Sequence, residues 1–508
     1  MASPAPIDDL AATVRQSVPS VVTSVVDGRS VAPDDGERLS VVNPADGETL
    51  LELETADAAT VNRAVTSARR TFAAGTWSRT STARRQAVLR ATADLIRANA
   101  DRLAALDTLT TGLSFSRSTR GQAHAAAAWF DYFAGLLEAQ AGQTFRQLES
   151  AVTVVTREPV GVAGLFTPWN IPLMGASLKM AAALSMGNSV VIKPSEQSPL
   201  GTIELIRLLH EAGLPVGVAQ LVNGAGAITG AALAAHPAID LVSFTGGEGA
   251  GRQIGKAAAE RFAKVTMELG GKSANIVFAD ADLDKALDGA LLAAFANNGQ
   301  ACLAGSRILV ERSIAERFIA DFVDRTQRLR IGQPFDPDTD MGPLAMRAQV
   351  QRLQQFVATV ADEGGELLCG GTLAAECPSD CYVYPAVALA HNHAATICQQ
   401  EVFGPLATFV IFDDEADAVR LANDTRFGLA GYVWTSNLER AWRVSQALRS
   451  GYVLINTPMA RERNAPFGGF AHSGIDREGG RWSLDFYSEA RTTVMHHGQV
   501  PIGEGDLP

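Results

Sequence analysis

Apolar positions change their spacing along this chain, and the changes divide it. At 58–73, 83–99, 100–110 and 122–140 they recur every three or four residues in Ala-rich sequence, which predicts four helices. The last of these carries Trp129, Phe130, Tyr132 and Phe133, read as core. From Val160 the pattern switches to short apolar runs separated by helical stretches. Strands are predicted at 160–166, 189–192, 218–222, 241–244 and 265–269, with helices at 172–186, 199–212, 227–235 and 249–262 between them. Near-continuous apolar strands alternating with helices predict a parallel sheet covered on both faces, with ligands at the carboxyl ends of its strands. A second α/β series runs from 274 to 456, with strands near Ile276, Ile308, Phe409, Val433 and Val453. Two stretches, 151–156 and 490–495, alternate small, β-branched and polar residues. They read as exposed strands of the kind that pair with another chain. Residues before Val22 read as a loosely ordered polar extension.

Length and charge narrow the classes. A chain of 508 residues is too long for one ordinary core. Its formal net charge of −12 argues against non-specific partners such as nucleic acid or an anionic membrane, which attract Lys and Arg. The five cysteines, Cys302, Cys369, Cys377, Cys381 and Cys398, do not form a secreted disulfide pattern. Cys377 and Cys381, with His391 and His393 downstream, lack a CxxC pair, so no metal site is assigned. The first twenty residues lack a basic segment followed by an apolar one, and no apolar run is long enough to span a bilayer. The expected compartment is the cytoplasm.

The candidate chemistry centres on Cys302, in Asn297-Asn298-Gly299-Gln300-Ala301-Cys302, between a predicted helix and the run Ile308–Val310. A turn there can aim a thiol into a cleft, and a thiol of pKa roughly 8.5 needs help to ionise. By spacing alone, a small buried hydrophobe is the commoner reading. Phe244-Thr245-Gly246-Gly247-Glu248-Gly249-Ala250-Gly251 follows a strand and opens a helix, which suits a pyrophosphate or a plain tight turn. It is neither a P-loop nor a strict GxGxxG. Lys193 and Glu196 end the second strand, where they suit a ribose or a solvated turn. Glu268, between apolar residues at the end of the last strand, suits a desolvated general base. Asn170 lies on the exit loop of the first strand, where an amide N–H can meet an oxyanion.

Taken together, Thr167–Asn170, Lys193–Glu196, Glu268–Gly271, Gly299–Cys302, Glu401–Pro405 and Pro466–Gly469 resemble the aldehyde dehydrogenase superfamily, in order and spacing, over nearly all of the chain after Ser24. The resemblance implies an α/β fold: a Rossmann-like parallel-sheet cofactor domain (24–138 and 159–270), an α/β catalytic domain (271–470) and a small β oligomerisation arm (139–158 and 486–500). A flexible extension, 1–23, precedes them. It implies oxidation of a small-molecule aldehyde, with Cys302 as nucleophile, Glu268 as the base that hydrolyses a thioester, Asn170 at the oxyanion and Lys179 in proton relay. It places NAD, with NADP the alternative, against Thr167, Pro168, Trp169, Lys193, Ser195, Glu196, Gly246, Gly247, Gly251, Leu269, Glu401 and Phe403. A homodimer or homotetramer is implied as well.

Departures from the family pattern are informative. Gly247 stands where a serine is usual, so one side-chain contact to the pyrophosphate is missing, and Asp476 replaces a usual glycine. Arg461, in the loop before Pro466-Phe467-Gly468-Gly469, falls where apolar or aromatic residues are common, and Gly175 and Ala296 fall where bulkier ones are. The expected substrate is a mid-sized aldehyde, aromatic or with a distal carboxylate gripped by Arg461. An ion pair between Arg461 and Glu462, or a solvated loop charge, is the bland reading of that arginine. Three rivals are open: a CoA-acylating semialdehyde dehydrogenase, a non-catalytic binding protein on the same fold, and a cysteine hydrolase without a dinucleotide. Glu268 argues against the first, intact Cys302, Glu268 and Asn170 against the second, and Lys193, Glu196 and Glu401 against the third.

Overall fold

A computed structural model describes residues 7–34, 36–148 and 150–497. Its first sheet has eight strands. Five parallel strands form the middle, in the order Lys264–Glu268, Leu241–Thr245, Val162–Phe166, Ser189–Lys193 and Ala219–Leu221. Every residue of Val162–Phe166 and Ser189–Lys193 is buried, as a sheet covered on both faces requires. Apolar residues of the helices Thr82–Ala98, Ala125–Leu136, Pro172–Ser185 and Leu200–Glu211 pack together beside the sheet.

The strand order sets the position of the site. From Val162–Phe166 the chain adds two strands on one side, then crosses over to add Leu241–Thr245 and Lys264–Glu268 on the other. Ligands in open α/β sheets bind at such a switch point, beyond the carboxyl ends of the strands. Phe166 pairs with Lys193 and Thr245 with Glu268, so the candidate residues leave the sheet along one edge.

The second sheet has seven strands, in the order Glu366–Cys369, Ala386–Leu389, Leu406–Phe412, Arg307–Glu311, Ala274–Val277, Ala430–Trp434 and Tyr452–Ile455, parallel except for the first. All five strands expected there are present. Glu366–Cys369 and Ala386–Leu389 were not expected. After Ser473 the chain returns to the first sheet, where Gly474 and Ile475 pair antiparallel with Glu268 and Met267.

The stretches 151–156 and 490–495 belong to longer strands, Ala151–Pro159 and Ser488–His496. These pair with each other over nine residues in one chain, with Gln143–Phe145 on the far edge. The expected helix at 122–140 is a π turn (Thr119–His124), an α-helix (Ala125–Leu136) and a 3-10 turn. The expectation of a flexible extension over residues 1–23 is corrected from Ile7 onward; residues 1–6 lie outside the described residues. Ile7–Gln16 is a helix whose Leu10 and Val14 join a cluster with Leu106 and Leu109, and Arg15 pairs with Asp46 and Glu48. Among the described residues no helix is long and apolar enough to cross a membrane.

Candidate active site

The Cys302 loop is held on both sides. After the helix Leu283–Phe295 the chain kinks through Asn297 and Asn298, both left-handed at φ 54° and 56°, a conformation that asparagine tolerates well. Gly299 follows at φ 72°, and a Cβ there would sit 2.4 Å from the Gly404 carbonyl carbon, so only glycine fits. Asn298 Nδ2 donates to the Pro343 carbonyl at 2.8 Å, and Gln300 Oε1 accepts from the Ala345 N–H at 3.1 Å. Cys302 then sits in a turn closed by the Ala304 N–H on the Ala301 carbonyl. Burial pushes its thiol up to about 12, with Glu401 and Glu268 adding to the shift and Arg461 opposing it.

Asn170 is 6% exposed and donates Nδ2 to the Gln300 carbonyl at 2.8 Å, while Asn297 Nδ2 reaches the Asn170 carbonyl at 3.4 Å. These bonds tie the exit loop of the first sheet to the cysteine loop of the second. Glu268 is 4% exposed, and among the described residues neither carboxyl oxygen has a hydrogen-bond partner. Burial raises its pKa well above the carboxylate range, Glu478 adds to that, and Lys179, Arg461 and Arg477 oppose it. A Cβ at Gly468 would lie 2.7 Å from Glu268 Oε1, so glycine there makes room for the carboxyl group.

Behind Glu268 lies a buried polar cluster. Lys179 Nζ pairs with Glu478 Oε1 and donates to Ser243 Oγ at 2.8 Å; Ser243 Oγ donates to Glu478 at 3.0 Å. Such groups can pass a proton from one to the next. The backbones of Phe467 and Glu478 exchange two hydrogen bonds, which ties the cluster to the loop over Glu268.

A cleft of about 1140 Å³ opens at the switch point and ends at Cys302 and Glu268. It is large enough for a dinucleotide. Thr167, Pro168, Trp169, Asn170, Lys193, Ser195, Glu196, Gly246, Gly247, Leu269, Glu401 and Phe403 all line it. Lys193 Nζ meets Glu196 Oε2 at 3.2 Å and the Pro194 carbonyl at 2.9 Å. Burial lowers the Lys193 pKa, and Glu196 opposes this. Trp169 and Phe403 meet edge to face at 5.2 Å. Glu401 accepts from the Gly271 N–H at 3.2 Å and is pushed up to about 7 by burial. A Cβ at Gly270 would fall 2.0 Å from Glu401 Oε2. Besides the Glu268 carboxyl, two further buried oxygens on lining residues, Thr167 Oγ1 and Gln349 Oε1, have no partner among the described residues, which fits a polar ligand.

On the other side of Cys302, the Arg461 guanidinium carbon lies 4.3 Å from the Phe467 ring centroid and 5.1 Å from that of Trp129. Its Nη2 is buried without a partner among the described residues. Glu462 accepts from the Asn464 N–H at 3.2 Å, and among the described residues no ion pair joins it to Arg461. Arg461 acts at a distance on Glu478, Glu268 and Cys302, each of which opposes the burial that lowers its own pKa.

The aldehyde dehydrogenase family profile matches residues 31–493. The chain belongs to the aldehyde dehydrogenase family. Betaine aldehyde dehydrogenase of Bacillus subtilis (strain 168) is 39% identical over 92% of this chain and 96% of its own length. An indole-3-acetaldehyde dehydrogenase solved with NAD+ superposes with a TM-score of 0.94 at 38% identity, covering 97% of this chain and all of that one. Betaine aldehyde dehydrogenase of Staphylococcus aureus, also solved with NAD+, gives 0.94 at 34% identity over 98% and 99%. The chain is therefore an oxidoreductase of a family with NAD+-bound members.

One residue, Gly251, sits differently from the family carry-over. Gly251 does not line the cleft: a Cβ there would strike Leu269 at 2.7 Å, so its role is to let the helix Glu248–Ala259 lie close to the sheet. A side chain at Gly175 would point at Ile171 and Pro168. Ala296 is 6% exposed at the foot of the cysteine loop. The sequence reading missed Glu478, and it missed Gln349, Arg352 and Arg426, which also line the cleft. An acid between two glycine pairs was the available signal for Glu478, but only the antiparallel return at Gly474 brings it beneath Glu268.

Proposed function

We propose that the enzyme oxidises an aldehyde to its carboxylic acid through a thioester on Cys302, with NAD as hydride acceptor. The observation that carries this reading is the convergence of the Cys302 thiol, the Asn170 amide and the buried Glu268 carboxyl at the inner end of a dinucleotide-sized cleft. Cys302 Sγ adds to the aldehyde carbon, giving a thiohemiacetal whose oxygen accepts hydrogen bonds from Asn170 Nδ2 and the Cys302 backbone N–H. Lys193 and Glu196 hold the adenosine ribose, and Glu401 and Phe403 the nicotinamide end. When bound, the dinucleotide supplies the hydride acceptor and a positive ring charge. In its ionised form Glu268 then takes a proton from the water that attacks the thioester, the C–S bond breaks to release the acid and the Cys302 thiol, and the Glu478–Lys179–Ser243 cluster is placed to take up the proton. Removal of the Glu268 carboxylate separates the two half-reactions. Glu268→Gln is expected to release about one equivalent of reduced cofactor per site and then stall, since a covalent intermediate that cannot hydrolyse accumulates. Steady turnover at the wild-type rate, or release that needs CoA, would refute the reading.

NAD is favoured over NADP because the Glu196 carboxylate, with Lys193 already bound to it, repels a 2′-phosphate. Equal kcat/KM with both dinucleotides would remove that preference. The substrate we assign is a mid-sized aldehyde with a distal carboxylate, because the buried Arg461 Nη2 lacks a partner among the described residues. A cationic aldehyde, such as the betaine aldehyde that names several relatives, is disfavoured by the same charge.

A further inference from the structure

The helix Glu248–Ala259 turns its amino end toward the cleft, where the macrodipole and free N–H groups favour a pyrophosphate. Two features of this chain work against that. Gly247, at the N-cap, offers no hydroxyl, and Glu248 adds a carboxylate in the first turn, of the same sign as the ligand. Something must supply positive charge from elsewhere.

The catalytic domain does so across the mouth of the cleft. Arg426 lines the cleft opposite Gly247 and Glu248, and its Nε meets Glu248 Oε2 at 3.3 Å. His472 Nδ1 meets Glu248 Oε1 at 3.0 Å, and Arg252 on the same helix reaches that oxygen at 2.6 Å. Arg426 and His472 are held side by side, because the His472 N–H donates to the Arg426 carbonyl at 3.2 Å. The guanidinium carbon of Arg426 lies 4.7 Å from the centroid of the Phe427 ring, another lining residue, which fixes its plane. Its charge is also felt at Glu401, at the inner end of the cleft. Arg426 therefore stands between the helix end and the nicotinamide end, with its Nε engaged by Glu248.

We propose that Arg426 is a dinucleotide-positioning residue. Glu248 and His472 hold it over the phosphate segment of the cleft, and its two Nη groups bind the pyrophosphate in place of the absent side chain at 247. A carboxylate that orients an arginine for a phosphate plays the part that outer partners play for metal ligands. This inference rests on the dinucleotide reading of the cleft.

The test is binding, measured calorimetrically with ADP-ribose, which carries both phosphates, and adenosine, which carries none. Loss of a charge-assisted contact changes Kd by about tenfold or more. Arg426→Ala is expected to weaken ADP-ribose and NADH by that factor and adenosine by less than about twofold, at unchanged Tm. Arg426→Lys, which keeps the charge and the stem over Phe427 but not the fork, is expected to recover part of the loss. If the alanine variant unfolds early, the lysine variant carries the same contrast at smaller amplitude. ADP-ribose binding within about twofold of wild type in both variants would overturn the proposal, and so would an equal loss for adenosine, which would make Arg426 a prop of the cleft wall. Wild-type enzyme that binds NADH but oxidises no aldehyde would sink the proposed reaction and leave this inference standing. Wild-type enzyme that binds no ADP-ribose would sink both.

Discussion

The Cys302 thiol is pushed up to about 12, so without a bound dinucleotide it is protonated throughout the physiological range. At pH 8 roughly one thiol in ten thousand is then ionised, against about a quarter for an ordinary cysteine of pKa ~8.5. A more basic thiolate is also a stronger nucleophile, and a Brønsted coefficient of roughly 0.4–0.5 recovers on the order of 40-fold. Alkylation of Cys302 by iodoacetamide is therefore expected to run on the order of 60-fold slower than that of a free thiol at pH 8. Peptide mass spectrometry reads the rate at Cys302 separately from the other four cysteines.

The pH profile and two variants make the reasoning specific. The logarithm of the rate is expected to rise from pH 6 to 10 without a plateau, with unit slope except around pH 7, where ionisation of Glu401 makes it shallower. Burial is the first cause of the shift and Glu401 the second, so Glu401→Gln is expected to speed alkylation. Since the Glu401 carboxyl itself lies at about 7, the variant and the wild type converge below pH 7, where Glu401 is neutral, and diverge above it. Arg461→Leu is expected to slow alkylation, because its cation opposes the shift. A plateau with a midpoint below pH 9, or a slower Glu401→Gln, would show that the carboxylates do not control the thiol.

Asp107 is fully buried with no side-chain hydrogen-bond partner among the described residues, and burial pushes it up to about 8, with the Leu173 backbone amide opposing. Its folded pKa exceeds the unfolded 3.8, so its contribution is present at low pH and is lost as pH rises toward 8, by about 1.4 kcal/mol per unit. Asp107→Asn escapes this loss, and its Tm advantage over wild type is expected to grow by on the order of 1 °C per pH unit between 5 and 8 in a chain of this length; a constant or shrinking difference would refute the assignment. For assembly, the strand Ser488–His496 has an open edge carrying Val494 and Met495, 57% and 51% exposed. A dimer or tetramer is expected by light scattering at micromolar concentration, and a monomer would show that the edge stays unpaired.

The parallel strands were legible because both of their faces are buried, which leaves runs such as Val190-Val191-Ile192 with no polar break. Glu366–Cys369 and Ala386–Leu389 were not, because the first lies at the sheet edge with two of its four residues exposed and a sixteen-residue loop separates it from its partner. The helix Ile7–Gln16 was legible in principle: Leu10, Val14 and Val18 recur at four-residue steps, but the polar composition around them obscured the period. Within the site, residues on strand exits could be read from order along the chain. Glu478 and Arg426 could not, since each is brought in by contact between distant segments. Trp129 was read as core, and at 3% exposed it is core, yet one face of its ring meets Arg461.

Arg461 connects the electrostatics of the thiol to the choice of substrate. Cys302 and Glu268 are both driven toward their neutral forms, Lys179 is already paired with Glu478, and Arg461 is the cation that acts on both Cys302 and Glu268. That charge can serve the Cys302 thiolate or a substrate carboxylate, but the second use weakens the first. A bound nicotinamide ring would supply a second positive charge, and the two uses would then no longer compete. On the proposed substrate reading, an acid-bearing aldehyde that arrives first would neutralise Arg461 while the thiol is still protonated. Such an aldehyde is therefore expected to inhibit at high concentration, relieved by raising NAD, whereas its neutral analogue does not. Arg461→Leu is expected to raise KM for the acid-bearing aldehyde by about ten- to a hundredfold, from the loss of a charge-assisted pair of roughly 1.5–3 kcal/mol, to leave the neutral analogue within a few-fold, and to abolish the inhibition. Steady-state kinetics of such a pair of aldehydes, matched in size, reads all three effects. Equal KM changes for both, with inhibition unchanged, would leave Arg461 a structural cation held between two aromatic rings.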